Sequence, residues 1–264
     1  MYPSKIWDNK SVLCNCNDYI GKDRTERDTS SFALYFLRNF NRLHLKKLVC
    51  TMRSGRVFVK TKGKELINCF KDYDGDFAHT YSLRLLYEAD IVCTNPPFSL
   101  ARKFWELLIS SRKNFLIISN ITNAKNASYM RFIQDKKIWP GYNRVDKFLT
   151  PKMTETGAAG HWYTNFKIKD RPKWKHLKFR PLKEIPKEFV RRDDNSILVI
   201  DQGFIPTDYN YPFVVSPRII LNGILEKGFE LVRPKEYIPS FNGKKAFGRV
   251  LIQKINNASK KEVT

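Results

Sequence analysis

The apolar run Ala89–Thr94 (ADIVCT) stops at Asn95-Pro96-Pro97-Phe98, and a helix-compatible segment begins at once. No other stretch restricts the fold as much. Consecutive prolines fix φ twice and remove two backbone donors, so a strand entering them cannot continue in a sheet. A strand that ends abruptly before a helix is half of a βα unit, and repeated βα units imply a largely parallel sheet. The neighbouring segments repeat the pattern. Lys10–Cys16 and Lys47–Thr51 read as buried strands, and between them lies a helix capped by Thr29 or Ser30, with Phe32, Leu34, Tyr35, Phe36, Leu37, Phe40 and Leu43 as its core-facing apolar residues. Arg56–Lys60 and Glu65–Phe70 suggest a hairpin around Lys62-Gly63-Lys64. The acidic turn Asp72–Phe77 (DYDGDF) then leads into a helix over residues 78–88. After the prolines, Ser99 is expected to cap a helix to about Ser110, followed by a strand at Asn114–Ser119 and a short helix at Ser128–Gln134.

Beyond Pro140 the texture changes. Prolines recur, and only short β-like runs stand between them: Ser196–Ile200, Phe213–Ser216, Phe229–Val232 and Arg249–Ile252. The expected fold class is α/β. A Rossmann-like catalytic domain is expected over residues 1–165, and a smaller β/loop region over 166–264.

Composition narrows the class. With 42% hydrophobic and 14% aromatic residues in 264, the chain can bury a core, which excludes intrinsic disorder. Its longest apolar runs are strand-sized, which argues against a membrane span or membrane partner. The start MYPSKIWDNK lacks the apolar segment of a secretory signal, and five cysteines in mostly apolar runs suit a reducing compartment. A cytoplasmic location is expected, with nucleoid or nucleus as variants. None of His44, His79, His161 and His176 stands at metal-ligand spacing, so no metal site is expected.

Charge points to a partner. The formal net charge is +22. Half of it lies between Lys136 and Arg192, where 16 Lys and Arg face 5 Asp and Glu and aromatic residues are interleaved. Phosphate neutralisation by the cations and base stacking by the rings together suit a nucleic acid. Lys167, Lys169, Arg171, Lys173 and Lys175, with Trp174 among them, are the candidate phosphate contacts.

The tetrapeptide suggests the chemistry. An exocyclic amino group on a nucleobase is a poor nucleophile, because its lone pair is delocalised into the ring. Two acceptors aimed at its N–H bonds, the Asn95 side-chain oxygen and the Pro96 carbonyl, pull it toward a tetrahedral and more nucleophilic geometry. Pro96 and Pro97 stiffen the loop so that these acceptors are preorganised. Phe98 offers a ring on which an extruded base can stack. The plainer alternative is a rigid turn that ends a strand.

These residues resemble the signature of S-adenosylmethionine-dependent amino-methyltransferases acting on DNA. More narrowly, the chain resembles the adenine-specific DNA methyltransferases of the EcoRI type. The resemblance rests on Val12–Asp18, Ser30–Leu48, Asp74–Phe77, Glu88–Leu100 and Gly160–Asn165, with a fainter echo at Gly243–Ile252. It implies S-adenosylmethionine as cofactor and double-stranded DNA as partner, and it links the chain to a restriction–modification setting. It places Cys14, Asn15 and Asp18 near the cofactor and Asp74, Asp76 and Phe77 near its adenosine. Asn95, Pro96, Pro97 and Phe98 become catalytic. Trp162 and Tyr163 become candidates to sandwich the target base against Phe98; the plain alternative for both is core filling. Family members carry a segment before the first strand that helps enclose the cofactor, whereas here that strand begins near residue 10. A second chain is one way to complete the wall. Two further readings stay open: a non-catalytic DNA-binding homologue, and an amino-methyltransferase acting on cytosine or on RNA.

Overall fold

Consecutive rather than alternate apolar positions mark a strand covered on both faces, and β1 (Ser11–Cys14) is buried at every position. It lies inside an eight-stranded sheet with β2 (Lys47–Thr51), β3 (Arg56–Thr61), β4 (Lys64–Cys69), β5 (Ile91–Thr94), β6 (Asn114–Asn120), β7 (Trp139–Leu149) and β8 (Glu155–Thr164). The order is β4-β3-β2-β1-β5-β6-β8-β7. Strands β2, β1, β5 and β6 run parallel, while β3, β4 and β8 are antiparallel to their neighbours. The structure is a computed structural model and describes residues 4–16, 19–25, 28–120, 127–149, 154–166, 177–232 and 236–255.

The route of the chain through this sheet creates the site. From β1 it crosses to β2, makes the β3–β4 hairpin out to the edge, and returns through a helix to β5 on the other side of β1. The carboxyl ends of β1 and β5 therefore flank the point where the strand order reverses, which is where open α/β sheets leave a crevice for ligands.

Three helices cover this sheet. Helix α1 (Ser31–Arg38) starts where the Ser30 hydroxyl accepts the Ala33 amide. The apolar pattern predicts that it continues to Leu43, but it ends after two turns. The Tyr35 carbonyl accepts both the Asn39 backbone amide at 3.1 Å and the Asn39 side-chain amide at 2.7 Å. Phe40 and Leu43 are still buried, in turns rather than in helix. They join Val12, Cys14, Phe36, Leu48, Cys50 and Cys93 in one core cluster. Helix α2 is Thr80–Glu88, and α3 is Ala101–Ser111, which buries Phe104, Trp105 and Leu108 at helical spacing. Ser99 does not cap α3: a 3₁₀ turn, Phe98–Leu100, intervenes, and Leu100 occupies the N-cap without a side-chain bond.

Two compact units divide the chain, Met1–Asn120 with Gly141–Lys167 and Ile121–Pro140 with Ile168–Thr264. The sequence places one boundary after residue 165, whereas the second unit also takes Ile121–Pro140. That unit holds helix α4 (Ala127–Gln134), whose Gln134 amide donates to the Leu231 carbonyl at 3.4 Å. It contains β9 (Lys178–Arg180), β10 (Val190–Arg192), β11 (Leu198–Ile200), β12 (Phe204–Pro206), β13 (Phe213–Val215), β14 (Phe229–Leu231), β15 (Ser240–Phe241), β16 (Lys244–Lys245) and β17 (Val250–Lys254). A five-stranded sheet runs β10-β11-β13-β17-β14, and its residues Val199, Val214 and Leu251 pack with Tyr237. Among the described residues no helix is long and apolar enough to cross a membrane.

Candidate active site

Three separate sequence motifs reach the same edge of the first unit's sheet. Registers Val12↔Ile91 and Leu13↔Val92 carry forward to set Asn15 level with Thr94. The Thr94 hydroxyl, fully buried, donates to the Asn15 carbonyl and ties the two strand ends together. Asn95 is the next residue. The turn after β1 needs a left-handed conformation that glycine usually supplies; here Cys16 adopts it, with φ 63°.

The acidic turn docks on the end of β2. Gly75 has φ 81°, and a Cβ there would sit 2.4 Å from the Met52 carbonyl, just past β2. The Asp74 carboxylate accepts the Asp76 amide at 2.9 Å, and the Asp76 carboxylate accepts the Ala78 amide at 2.9 Å. Tyr73 anchors the turn to α2, with its hydroxyl 2.6 Å from the Ser82 hydroxyl. Burial pushes that phenol's pKa up. Helix α2 is capped by the His79 ring, whose Nδ1 accepts the Tyr81 amide.

Two open cavities meet at Asp76. The first, about 370 Å³, is lined by Lys71, Asp72, Tyr73, Asp74, Ala78 and His79 besides Asp76 itself. The second, about 330 Å³, runs from Asp76 past Leu83 to Leu100, Lys103 and Leu107, immediately after the tetrapeptide. Among the described residues the Asp76 carboxylate accepts one backbone amide, and it borders both spaces. Carboxylate oxygens in that position can take hydroxyl or amino donors of a nucleoside-sized ligand.

Asn95 has the most telling atom. Its Oδ1 is buried and has no hydrogen-bond partner among the described residues. A buried acceptor without a partner costs about 1–3 kcal/mol, so an arrangement that keeps one invites a ligand donor.

The other sequence candidates divide. Cys14 is a core residue beneath the site, packed with Cys50 and Cys93, and it lines neither cavity. Asn15 is buried, with its side-chain oxygen accepting the Cys16 thiol at 3.6 Å. Phe77 is buried edge-on against Phe104 at 5.1 Å and also borders the second cavity. Tyr163 lies wholly inside the core, edge-on to Trp105 at 5.4 Å, with its hydroxyl donating to the Asn120 carbonyl. Its neighbour Trp162 points to the opposite face of β8, half-buried against Phe32. Pro96 is buried and Pro97 exposed; for Phe98 only the backbone is described. Asp18, Lys167, Lys169, Arg171, Lys173, Trp174 and Lys175 lie outside the described residues. Thr94 is a positioning residue that motif reading passes over, although it stands directly before the tetrapeptide.

Comparison with known proteins identifies the family. The family described as adenine-specific methyltransferase EcoRI matches residues 1–70 and 60–263. The chain is 31% identical, over an alignment of 304 residues, to the Type II methyltransferase M.EcoRI of Escherichia coli, covering 96% of this chain and 88% of that protein. It is 28% identical over 255 residues to M.MpnI of Mycoplasma pneumoniae, covering 88% of this chain and 76% of that one. M.MgeORF184P of Mycoplasma genitalium is 36% identical over 149 residues, which is 52% of this chain and 42% of the relative. No solved structure matches. The large mixed sheet is consistent with a methyltransferase fold, and the chain belongs to the EcoRI family of adenine-specific DNA methyltransferases, enzymes that transfer a methyl group to adenine.

Proposed function

We propose that the crevice at the carboxyl ends of β1, β2 and β5 joins S-adenosylmethionine to an adenine swung out of double-stranded DNA, on a Rossmann-like domain. One observation carries the assignment: the buried Asn95 Oδ1, without a partner among the described residues, at the point where the strand order reverses. The residues fit the cofactor, because Asp76 borders two cavities and offers free acceptor capacity to a nucleoside, with Asn15 and Asp74 close along the same edge. When bound, the cofactor supplies an electrophilic methyl group on a sulfonium.

The chain's own atoms do the rest. Asn95 Oδ1 and the Pro96 carbonyl accept the two N–H bonds of the adenine amino group and draw its lone pair out of the ring. Pro96 and Pro97 hold the acceptors in place, so no reorganisation is needed as charge develops. Phe98 stacks on the base, and Trp162 is the better placed of the two β8 aromatics to approach it, since Tyr163 is enclosed. The 166–264 region reads the DNA, with Lys167, Lys169, Arg171, Lys173 and Lys175 on phosphates and Trp174 among them. An intracellular setting follows from this substrate.

The test is transfer of labelled methyl from S-adenosylmethionine to duplex DNA, followed by nucleoside analysis. N6-methyladenine is expected. Label on cytosine, label on RNA alone, or duplex binding with no transfer and no cofactor heat in titration would each overturn the assignment.

A further inference from the structure

In the second unit, the segment between Tyr237 and Arg249 is braced from one side and bare on the other. Its core is the two-stranded β15–β16 hairpin, with Asn242 and Gly243 at φ 51° and 74° in the two-residue loop. The Asp194 carboxylate accepts the Ser240 hydroxyl at 2.7 Å, the Asn242 amide at 2.8 Å and the Gly243 amide at 3.0 Å. At the base, the Tyr237 hydroxyl donates to Asp193 at 2.5 Å, and Tyr237 and Arg249 exchange backbone bonds. Arg191 lies over the Phe241 ring at 4.7 Å, while Asp201 pairs with both Arg191 and Arg249.

All three carboxylates are thus spent on fixing the hairpin. On its outer side Lys244 and Lys245 are exposed with no carboxylate partner among the described residues. Phe247 beside them is 88% exposed, and Ile238 on the facing segment is 50% exposed. A phenylalanine that bare gains nothing from folding. Just beyond a fixed hairpin that carries two exposed lysines, in a chain of net charge +22, it fits a polyanion with an apolar interior.

We propose that Phe247 is a wedge that enters the base stack of duplex DNA while Lys244 and Lys245 sit on the flanking phosphates. Apolar wedges on basic elements partly unstack a base step and unwind the helix there. The proposal rests on the reading of the chain as a DNA methyltransferase, and it adds the element that loosens the stack.

Relaxation of closed circular plasmid by topoisomerase, with protein bound and then removed, tests it without knowledge of the recognition sequence. Wild-type protein is expected to shift the linking number. Phe247→Ala is expected to lose most of the shift and to bind a mixed-sequence duplex about tenfold more weakly, the size of one lost stacking contact. Its melting temperature and cofactor binding stay unchanged. Phe247→Trp retains the shift. Lys244→Ala with Lys245→Ala flattens the log K against log salt slope by up to about two units. The proposal is overturned if Phe247→Ala binds and unwinds like wild type, or if wild type binds without any shift. It is also overturned if Phe247→Ala only converts a dimer to a monomer, which would make the patch a contact between copies. Failure of wild type to bind duplex sinks the methyltransferase reading as well, whereas binding and unwinding without methyl transfer sinks that reading alone.

Discussion

Thr94 donates its hydroxyl hydrogen to the backbone carbonyl of Asn15, a residue 79 positions earlier, and so joins the two strand ends that flank the reversal in strand order. Both groups are buried, so removing the donor leaves an unpaired carbonyl. Thr94→Val is expected to lose roughly 1–3 kcal/mol of stability by urea denaturation. It is also expected to lower kcat, because Asn95 hangs from the same strand end. Thr94→Ser keeps the hydroxyl and is expected to recover most of both losses. A valine variant with wild-type stability would show that the bond contributes nothing.

Asn95→Ala is expected to reduce methyl transfer by roughly 10²–10³, the loss typical of one preorganised polar group at a reacting centre. Melting temperature should hold or rise, since a buried acceptor without a partner disappears. Single-turnover rates with saturating cofactor decide it: near wild-type transfer would remove Asn95 from the chemistry.

Much of this site was legible in the sequence, and the reason is local. Pro96 and Pro97 end a strand by their own covalent structure, and the bend of DYDGDF is set by its own Asp74 and Asp76 side chains before it docks. What pattern reading missed depends on distant partners. Cys14 and Asn15 look alike in the strand, yet burial on both faces puts the first in the core and the second at the edge. Tyr163 and Trp162 are adjacent, and only the pairing of β8 with β6 decides which is enclosed. The long strands β7 and β8 escaped notice because glycines and polar residues fill them.

Asp76 has two duties, capping the chain toward α2 through the Ala78 amide and facing both cavities. Asp76→Asn keeps an acceptor for the amide and loses the charge; Asp76→Ala loses both. Calorimetric titration is expected to show S-adenosylmethionine binding about tenfold weaker or worse for Asp76→Ala. If the alanine variant binds normally, the adenosine does not reach this carboxylate.

The hairpin brace predicts a pH response. The Ser240 hydroxyl, then the Gly243 and Asn242 amides, hold the Asp194 carboxyl below its ordinary aspartate value. A depressed folded-state pKa means that the bracing is complete above about 3.9 and is lost only as pH falls through the lower folded value. Amide shifts of Asn242 and Gly243 are expected to stay constant from pH 7 to about 4 and to move below that. A midpoint at or above 3.9 would contradict the brace.

Replacing Lys167, Lys169 and Lys173 together by Ala is expected to weaken binding to every duplex and to flatten the salt slope by up to about three units. Site preference is expected to survive, since phosphate contacts position and base contacts specify. Unchanged affinity and slope would move the phosphate contacts elsewhere in the chain.

Gly75 and Asn95 belong to the same sheet edge but stand under opposite pressures. Any side chain at Gly75 collides with the Met52 carbonyl, so the glycine is enforced by folding whether or not the protein ever turns over. Asn95 does nothing for the fold with its Oδ1. A lineage that stopped methylating would therefore keep the first residue indefinitely and drift at the second, which makes position 95 the one to read when judging whether a relative is still an enzyme.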